Sequence, residues 1–348
     1  MAITIVTPSV TPVFGGVCPS DEVSMLKHIE ECGRICYRSE HLINETSYEG
    51  FYQRIVRAGH TSVLGHGNVC LHITYTKQPD MVAPYKFSPW KSIAWLATAL
   101  QRRDYFVINT CKPNKSTAAD IVFEAYMAGS LRAWVECLSV VQNHTFVGHI
   151  VFKHAYPLVS KLTFGESFFK RIPELDTSIC TVEVVPIEDQ LLLLKDNNWD
   201  LPQFSFRFLT DRGISHELVR HQTLAVSQES TRYVNYDKKI GFRFVDNTAD
   251  GSLEVHQHLM KSAELYTELL SQGIKPQIAR DVLTTSLATE LVMSGRWGHI
   301  DGSPVGFEMC KGWSHFILKR DSPAAHPGAR VLAAEVRKYF EDCGICNL

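Results

Sequence analysis

No apolar run in the chain approaches the length of a bilayer-spanning helix. Stretches such as Leu191 to Leu194 are a fraction of the roughly 20 residues required. A large charge of either sign is missing too: 35 Lys and Arg face 37 Asp and Glu, a formal net charge of −2. With a pI near 6.7, no broad cationic stripe for polymeric nucleic acid is implied. The charged fraction is only 21%, which with 15 prolines argues against extended disorder, while 45% hydrophobic residues suffice for a normal core. Metal chemistry lacks its usual signs. HExxH is absent, and His66, His72, His144, His149 and His154 show no ligand spacing on a shared helix face. There is no Walker loop and no complete GxGxxG, so a Rossmann-type NADPH site is not expected. No GxSxG elbow surrounds Ser230, which leaves a serine nucleophile poorly supported. Ten cysteines are scattered without the spacing of a disulfide scaffold, pointing to a reduced, cytosolic protein. Cys343-Gly-Ile-Cys346 supplies too few thiolates for a four-ligand zinc site and reads as a mobile tail with ordinary thiols. The opening Met1 to Val6 reads as a first β-strand and not a signal peptide.

What the chain does have is punctuation. Ser20, with Asp21 and Glu22 behind it, predicts a helix reaching about Tyr37. Ser47 predicts a second helix, stopped by Gly59. Val69, Leu71, Ile73 and Tyr75 alternate as a half-buried strand does, and so do Phe204, Phe206 and Phe208. The two strands are expected to be neighbours in one sheet. Helices are predicted from Ile214 to Leu224, from Leu253 to Leu270 (capped by Ser252, stopped by Gly273), from Gln277 to about Leu291 behind Pro276, and from Val331 to Phe340. Trp90 to Arg102 reads as helical, as does a longer segment from Ser116 to about Val141, with Gly129 as a weak point. The expected class is α/β (α+β), a sheet flanked by helices. The expected division is a catalytic domain from residues 1–76 and 203–348, with a mainly helical insertion at 77–202.

The densest chemistry lies from Arg220 to Tyr233, which reads Arg-His-Gln-Thr-Leu-Ala-Val-Ser-Gln-Glu-Ser-Thr-Arg-Tyr. Two arginines, a histidine, hydroxyls, amides and a carboxylate suit a dianionic phosphate joined to a ring with several hydrogen-bonding edges. Arg220 and Arg232 can each fork onto phosphate oxygens, at about 1.5–3 kcal/mol per charge-assisted bond. Ser230 adds a hydroxyl, and Gln228 can both donate and accept. On a helix, Glu217, Arg220 and His221 would share one face.

Arg220-His221-Gln222, followed after seven residues by Ser230, resembles the signature of flavin-dependent thymidylate synthases, usually Arg-His-Arg, seven residues, Ser. Ser215 to His221 resembles the helix leading into that signature, and Arg232-Tyr233 its end. Gly33 to Tyr37, Gly59 to His66, Ile278 to Leu283 and Gly312 to Arg320 resemble further family segments in the family's order. The resemblance implies an FAD enzyme that methylates C5 of dUMP with methylenetetrahydrofolate and NADPH, as a homotetramer with sites shared between subunits; with the cysteine pattern, the expected location is cytoplasmic. It implies that Ser62, Arg220, His221, Gln222, Gln228 and His315 face the flavin. It also implies that Glu217, Gln228, Ser230, Arg232 and Arg280 hold the nucleotide, and that Arg320 polarises the pyrimidine.

The pattern departs in places. Gln222 replaces the signature's second arginine. Gly65 stands where glutamate is common, Thr284 where proline is usual, Arg296 where asparagine is frequent and Gly328 where glutamate is common; Trp297 to Cys310 adds length. Two other readings therefore stay open: C5 methylation or hydroxymethylation of another pyrimidine nucleotide (dCMP, UMP or dUMP), and a catalytically silent nucleotide or flavin binder.

Overall fold

The computed structural model describes residues 3–77, 106–110, 121–139, 145–178, 180–237, 241–247, 252–298 and 312–346. The helix read at 90–102 lies outside them. Helix α1 (Glu22–Arg34) starts where the acidic cluster suggested, one residue later than read: the Asp21 side chain accepts from Ser24 N at 2.8 Å. A 3₁₀ turn (Ile35–Tyr37) carries it to the expected end. Helix α2 (Ser47–Arg57) follows, and Gly59 turns away with φ +69°.

Among the described residues, two four-stranded sheets organise the rest, beside a short parallel pair of β1 (Ile3–Ile5) and β9 (Phe242–Phe244). The site-bearing sheet is antiparallel, ordered β2 (Ser9–Val17), β7 (Phe204–Asp211), β10 (Ala288–Gly295), β8 (Ala225–Gln228). The second is ordered β4 (Phe106–Thr110), β5 (Ile121–Ser130), β3 (Asn68–Lys77), β6 (Cys180–Val184). The strands read at 69–75 and 204–208 exist, but they are not neighbours: β3 pairs with β5 and β6, while β7 pairs with β2 and β10. Within the stretch read as one helix from 116 to about 141, the described residues form β5 followed by helix α3 (Leu131–Leu138), with Ser130 capping at the junction. The segment expected as a helical insertion therefore contributes strands as well as helices α4 (Thr145–Ala155), α5 (Pro157–Phe164), α6 (Glu166–Phe169) and α7 (Ile187–Asn197).

One core crosses the expected boundary at 76/77. Met25, Leu26 and Ile29 of α1, Tyr52 of α2 and Leu71 and Ile73 of β3 pack with Trp134 of α3, Phe152 of α4 and Val182 of β6. A second core lies behind the site-bearing sheet. Phe204, Phe206 and Phe208 meet Trp313 and Phe316 of α11 (Trp313–Arg320) and Phe340 of α12 (Pro327–Asp342). Cys346 is buried in that core, so the Cys343 to Cys346 stretch is docked there and is not the mobile tail expected.

Helix α8 (Arg212–Leu218) begins on Asp211, whose Oδ1 accepts from Ile214 N at 2.7 Å. It stops six residues short of the expected Leu224, and the residues just beyond, Ala225–Gln228, are strand β8. Helix α9 (Leu253–Ser271) starts on Ser252, and Gly273 follows with φ +85°. The helix expected from 277 to 291 is only one turn, α10 (Pro276–Ala279), before a 3₁₀ turn (Arg280–Val282) and the wholly buried β10.

Candidate functional site

Strand β7, helix α8 and strand β8 carry the signature segment, and α11 lies across it. Arg320, at the end of α11, reaches the signature with its whole guanidinium. Nε donates to His221 Nε2 (3.1 Å), Nη1 to Glu217 Oε2 (2.6 Å) and Nη2 to the Glu217 carbonyl (2.6 Å). His315, one turn earlier on the same helix, meets His221 edge-on with ring centroids 5.5 Å apart. Phe316 packs on the same imidazole at 5.1 Å. His221 is buried, and burial, then the Arg320 guanidinium and His315, holds its pKa down to about 4. Glu217 and His221 converge although α8 ends between them, because His221 N donates to Leu218 O at 3.2 Å and turns the chain back. Arg220 and Gln222 flank His221 and are both exposed.

A second group forms beyond β8. Ser230 N donates to Cys36 O (3.0 Å), and Ser230 Oγ accepts from Arg232 N (3.2 Å). Arg232 is exposed, its Nε donating to Gln277 Oε1 at 3.3 Å and its guanidinium lying 5.2 Å over the Tyr233 ring. Arg280, also exposed, donates to Thr231 Oγ1 at 2.9 Å. Three segments thus place Ser230, Arg232 and Arg280 side by side. Gln228 belongs to neither group directly: its amide donates to Ser215 Oγ (2.8 Å) and Thr289 Oγ1 (3.3 Å), tying β8 to α8 and β10.

Ser62 is exposed on a 3₁₀ turn (Thr61–His66) that packs on β8. His66, fully buried, fastens that turn: Nδ1 bonds Ser294 Oγ (2.7 Å) and Nε2 bonds Ser227 Oγ (2.9 Å). The contact is close. A Cβ on Gly65 would sit 2.8 Å from the Ala225 Cβ.

Sequence reasoning missed the charged braid behind Ser230. Arg38, in the left-handed region at φ 50°, pairs with Glu290 (2.6 Å), Glu229 (3.5 Å) and Glu40 (3.6 Å). Arg207 and Arg243 also pair with Glu290, and Arg243 with Glu229. Tyr236 donates to Glu229 Oε1 at 2.8 Å, and Arg212 to the Glu229 carbonyl at 2.7 Å. Burial pushes the Glu229 carboxyl up against the pull of Arg38. Burial also pushes Glu290 up, but Arg207 and Arg38 outweigh it and leave Glu290 below its ordinary value. These residues lie on five separate segments, and no spacing in the sequence links them. Among the described residues, no group of three His, Cys, Asp or Glu is placed to hold a metal ion.

Fold and site together define an α/β protein with a donor-rich, cationic surface built on one strand–helix–strand segment. Residues 197–298 match the family model described as thymidylate synthase complementing protein. Three proteins named flavin-dependent thymidylate synthase are similar to the chain. That of Geobacter sulfurreducens is 28% identical over 131 residues, 35% of this chain and 56% of the relative. That of Mycobacterium avium is 30% identical over 151 residues (38% and 54%), and that of Synechocystis 22% over 166 (42% and 71%). Through these matches the chain is similar to flavin-dependent thymidylate synthases, over the signature-bearing segment above all. It spans about half the length of the first two relatives, and the family-model match includes neither Ser62 nor His315 and Arg320.

Proposed function

We propose that the chain is an FAD-dependent enzyme that methylates C5 of dUMP to give dTMP, with methylenetetrahydrofolate as one-carbon donor and NADPH as reductant. The observation that carries this reading is the convergence of Arg320, nearly a hundred residues downstream, with Glu217 and His221 of the signature. Uracil C5 is a poor nucleophile until negative charge builds on the ring. A cation held at three nitrogens before substrate arrives stabilises that charge without reorganising. Ser230, Arg232 and Arg280 supply a hydroxyl and two guanidinium groups for the phosphate.

The donor set also fits a flavin. Exposed Arg220, Gln222 and Ser62 offer polar contacts, and the His221–His315 pair offers aromatic surface and ring N–H donors. When bound, the flavin supplies the electron transfer, and the protein's part is to hold and polarise. In this reading the chain acts as a homotetramer in which the Arg320 group of one subunit and the Ser230 group of another face a shared site.

A second reading rests on Gln222 and Gly65, where the family carries arginine and glutamate: C5 methylation or hydroxymethylation of another pyrimidine nucleotide. Incubation with dUMP, dCMP or UMP, together with methylenetetrahydrofolate, NADPH and FAD, separates the readings by mass spectrometry of the nucleotide. Gain of CH₂ on dUMP supports the first. Gain of CH₂O, or modification of dCMP or UMP alone, supports the second. No modification of any of the three counts against both and leaves a silent binder.

A further inference from the structure

We propose that Glu217 and Arg320 together fix the buried His221 imidazole as the tautomer protonated on Nδ1, so that His221 serves as a one-way donor and Glu217 is its positioning residue. Hydrogen-bond direction decides the tautomer. A guanidinium has five N–H groups and no acceptor. Arg320 Nε, at 3.1 Å from His221 Nε2, can therefore only donate, and Nε2 must carry a lone pair. A neutral ring with a bare Nε2 holds its proton on Nδ1. The opposite tautomer would set two N–H groups against each other, and the doubly protonated ring would add a cation beside a cation.

Arg320 can impose this choice only if it cannot swing away. Glu217 holds the other two guanidinium nitrogens, one through its carboxylate (2.6 Å) and one through its own carbonyl (2.6 Å). The planar fork is thereby oriented at Nη1 and Nη2, which aims Nε at the ring. Phe316 and His315 pack on the imidazole and restrict its rotation. Glu217, read from the sequence as a nucleotide contact, here turns its carboxylate to Arg320. This chain uses it to set a neighbour's proton.

The consequence for recognition is specific. Nδ1–H can donate to a carbonyl or an unprotonated ring nitrogen of a ligand but cannot accept from it. On the reading of His221 as a flavin-facing residue, on which this step rests, it selects the acceptor atoms of the flavin's pyrimidine edge over its ring N–H.

The test reads the proton directly. Protein labelled with ¹⁵N-histidine, with His221→Asn to assign the signals, is recorded at neutral pH by ¹H–¹⁵N correlation of the imidazole ring, without flavin. The expected result is an unprotonated Nε2 and a protonated Nδ1 for residue 221, retained down to about pH 4. Glu217→Gln, which still offers an oxygen to Arg320, should keep that pattern. Glu217→Ala should shift it toward a mixture of tautomers, and Arg320→Ala further. A protonated Nε2 in the unaltered protein overturns the proposal even if every variant fails to fold. So does an unchanged pattern in folded Glu217→Ala and Arg320→Ala. Added FAD should then move the Nδ1 resonance more than Nε2, and the reverse order overturns the donor role. If FAD does not bind at all while the tautomer is as stated, the flavin reading fails and the positioning by Glu217 stands.

Discussion

Gly65 stands where the family commonly carries glutamate, and the packing says why a side chain is refused here. The turn from Thr61 to His66 lies so close to β8 that a Cβ would meet the Ala225 methyl at 2.8 Å. Gly65→Glu is expected to destabilise the protein by about 1–3 kcal/mol, the usual cost of overpacking. Ala225→Gly in the same chain should recover part of that loss. Denaturant titration of the single and double variants checks it; equal stabilities would mean that the contact yields freely. For ligands, the exposed guanidinium groups matter more. Arg232→Ala should weaken binding of a pyrimidine nucleoside monophosphate by about tenfold or more, the loss of one charge-assisted contact. Calorimetric titration measures this, and unchanged affinity would remove Arg232 from the phosphate site. Gln222→Arg should tighten FAD by a comparable factor if position 222 faces the flavin; unchanged affinity would place it elsewhere.

Among the elements, α1 and α9 were legible from the residues at their ends. Asp21, Ser252 and Gly273 lie where local chemistry demands a start or a stop, and α1 and α9 follow their prediction closely. Strand β10 defeated the reading because it is buried on both faces. With no alternation, its apolar run looks the same as a helix segment. Strand β8 has only four residues, too few for an alternation to show. Its place is set by distant partners, the buried imidazole of His66 and the neighbouring β10. That fastening has a pH signature. Burial lowers the pKa of His66 to about 3 and of His28 to about 4, from an ordinary 6.5. Between pH 6.5 and about 4 the unfolded chain binds more protons at these rings than the folded one, so their contribution to stability falls as pH falls. For each ring the loss by pH 5 is about 2 kcal/mol. His66→Gln should therefore show a shallower drop in unfolding free energy between pH 7.5 and 5 than the unaltered protein. An identical drop would mean that His66 titrates normally.

At the level of the whole molecule, the sequence showed the class and the residues that gather, but not the two-sheet layout. Strand β3 alternates cleanly, yet nothing in its residues says whether β7 or β5 lies beside it. Register between strands far apart in the chain is decided by the shared core. Here that core joins Leu71 and Ile73 to Trp134 and Val182. Arg320 and His221 were legible as chemistry, but Arg38, Glu229 and Glu290 were not, because only the fold makes them adjacent. The function proposed above requires that the clustered donors hold a flavin against a phosphorylated pyrimidine. Titration of the purified protein with FAD, followed through the flavin absorption band before and after addition of dUMP, tests that claim most directly. The account predicts saturable uptake of FAD and a further change in the band when dUMP is added, with both effects weakened by Arg320→Ala. A colourless protein whose added FAD keeps the spectrum of free flavin, with and without dUMP, would contradict it.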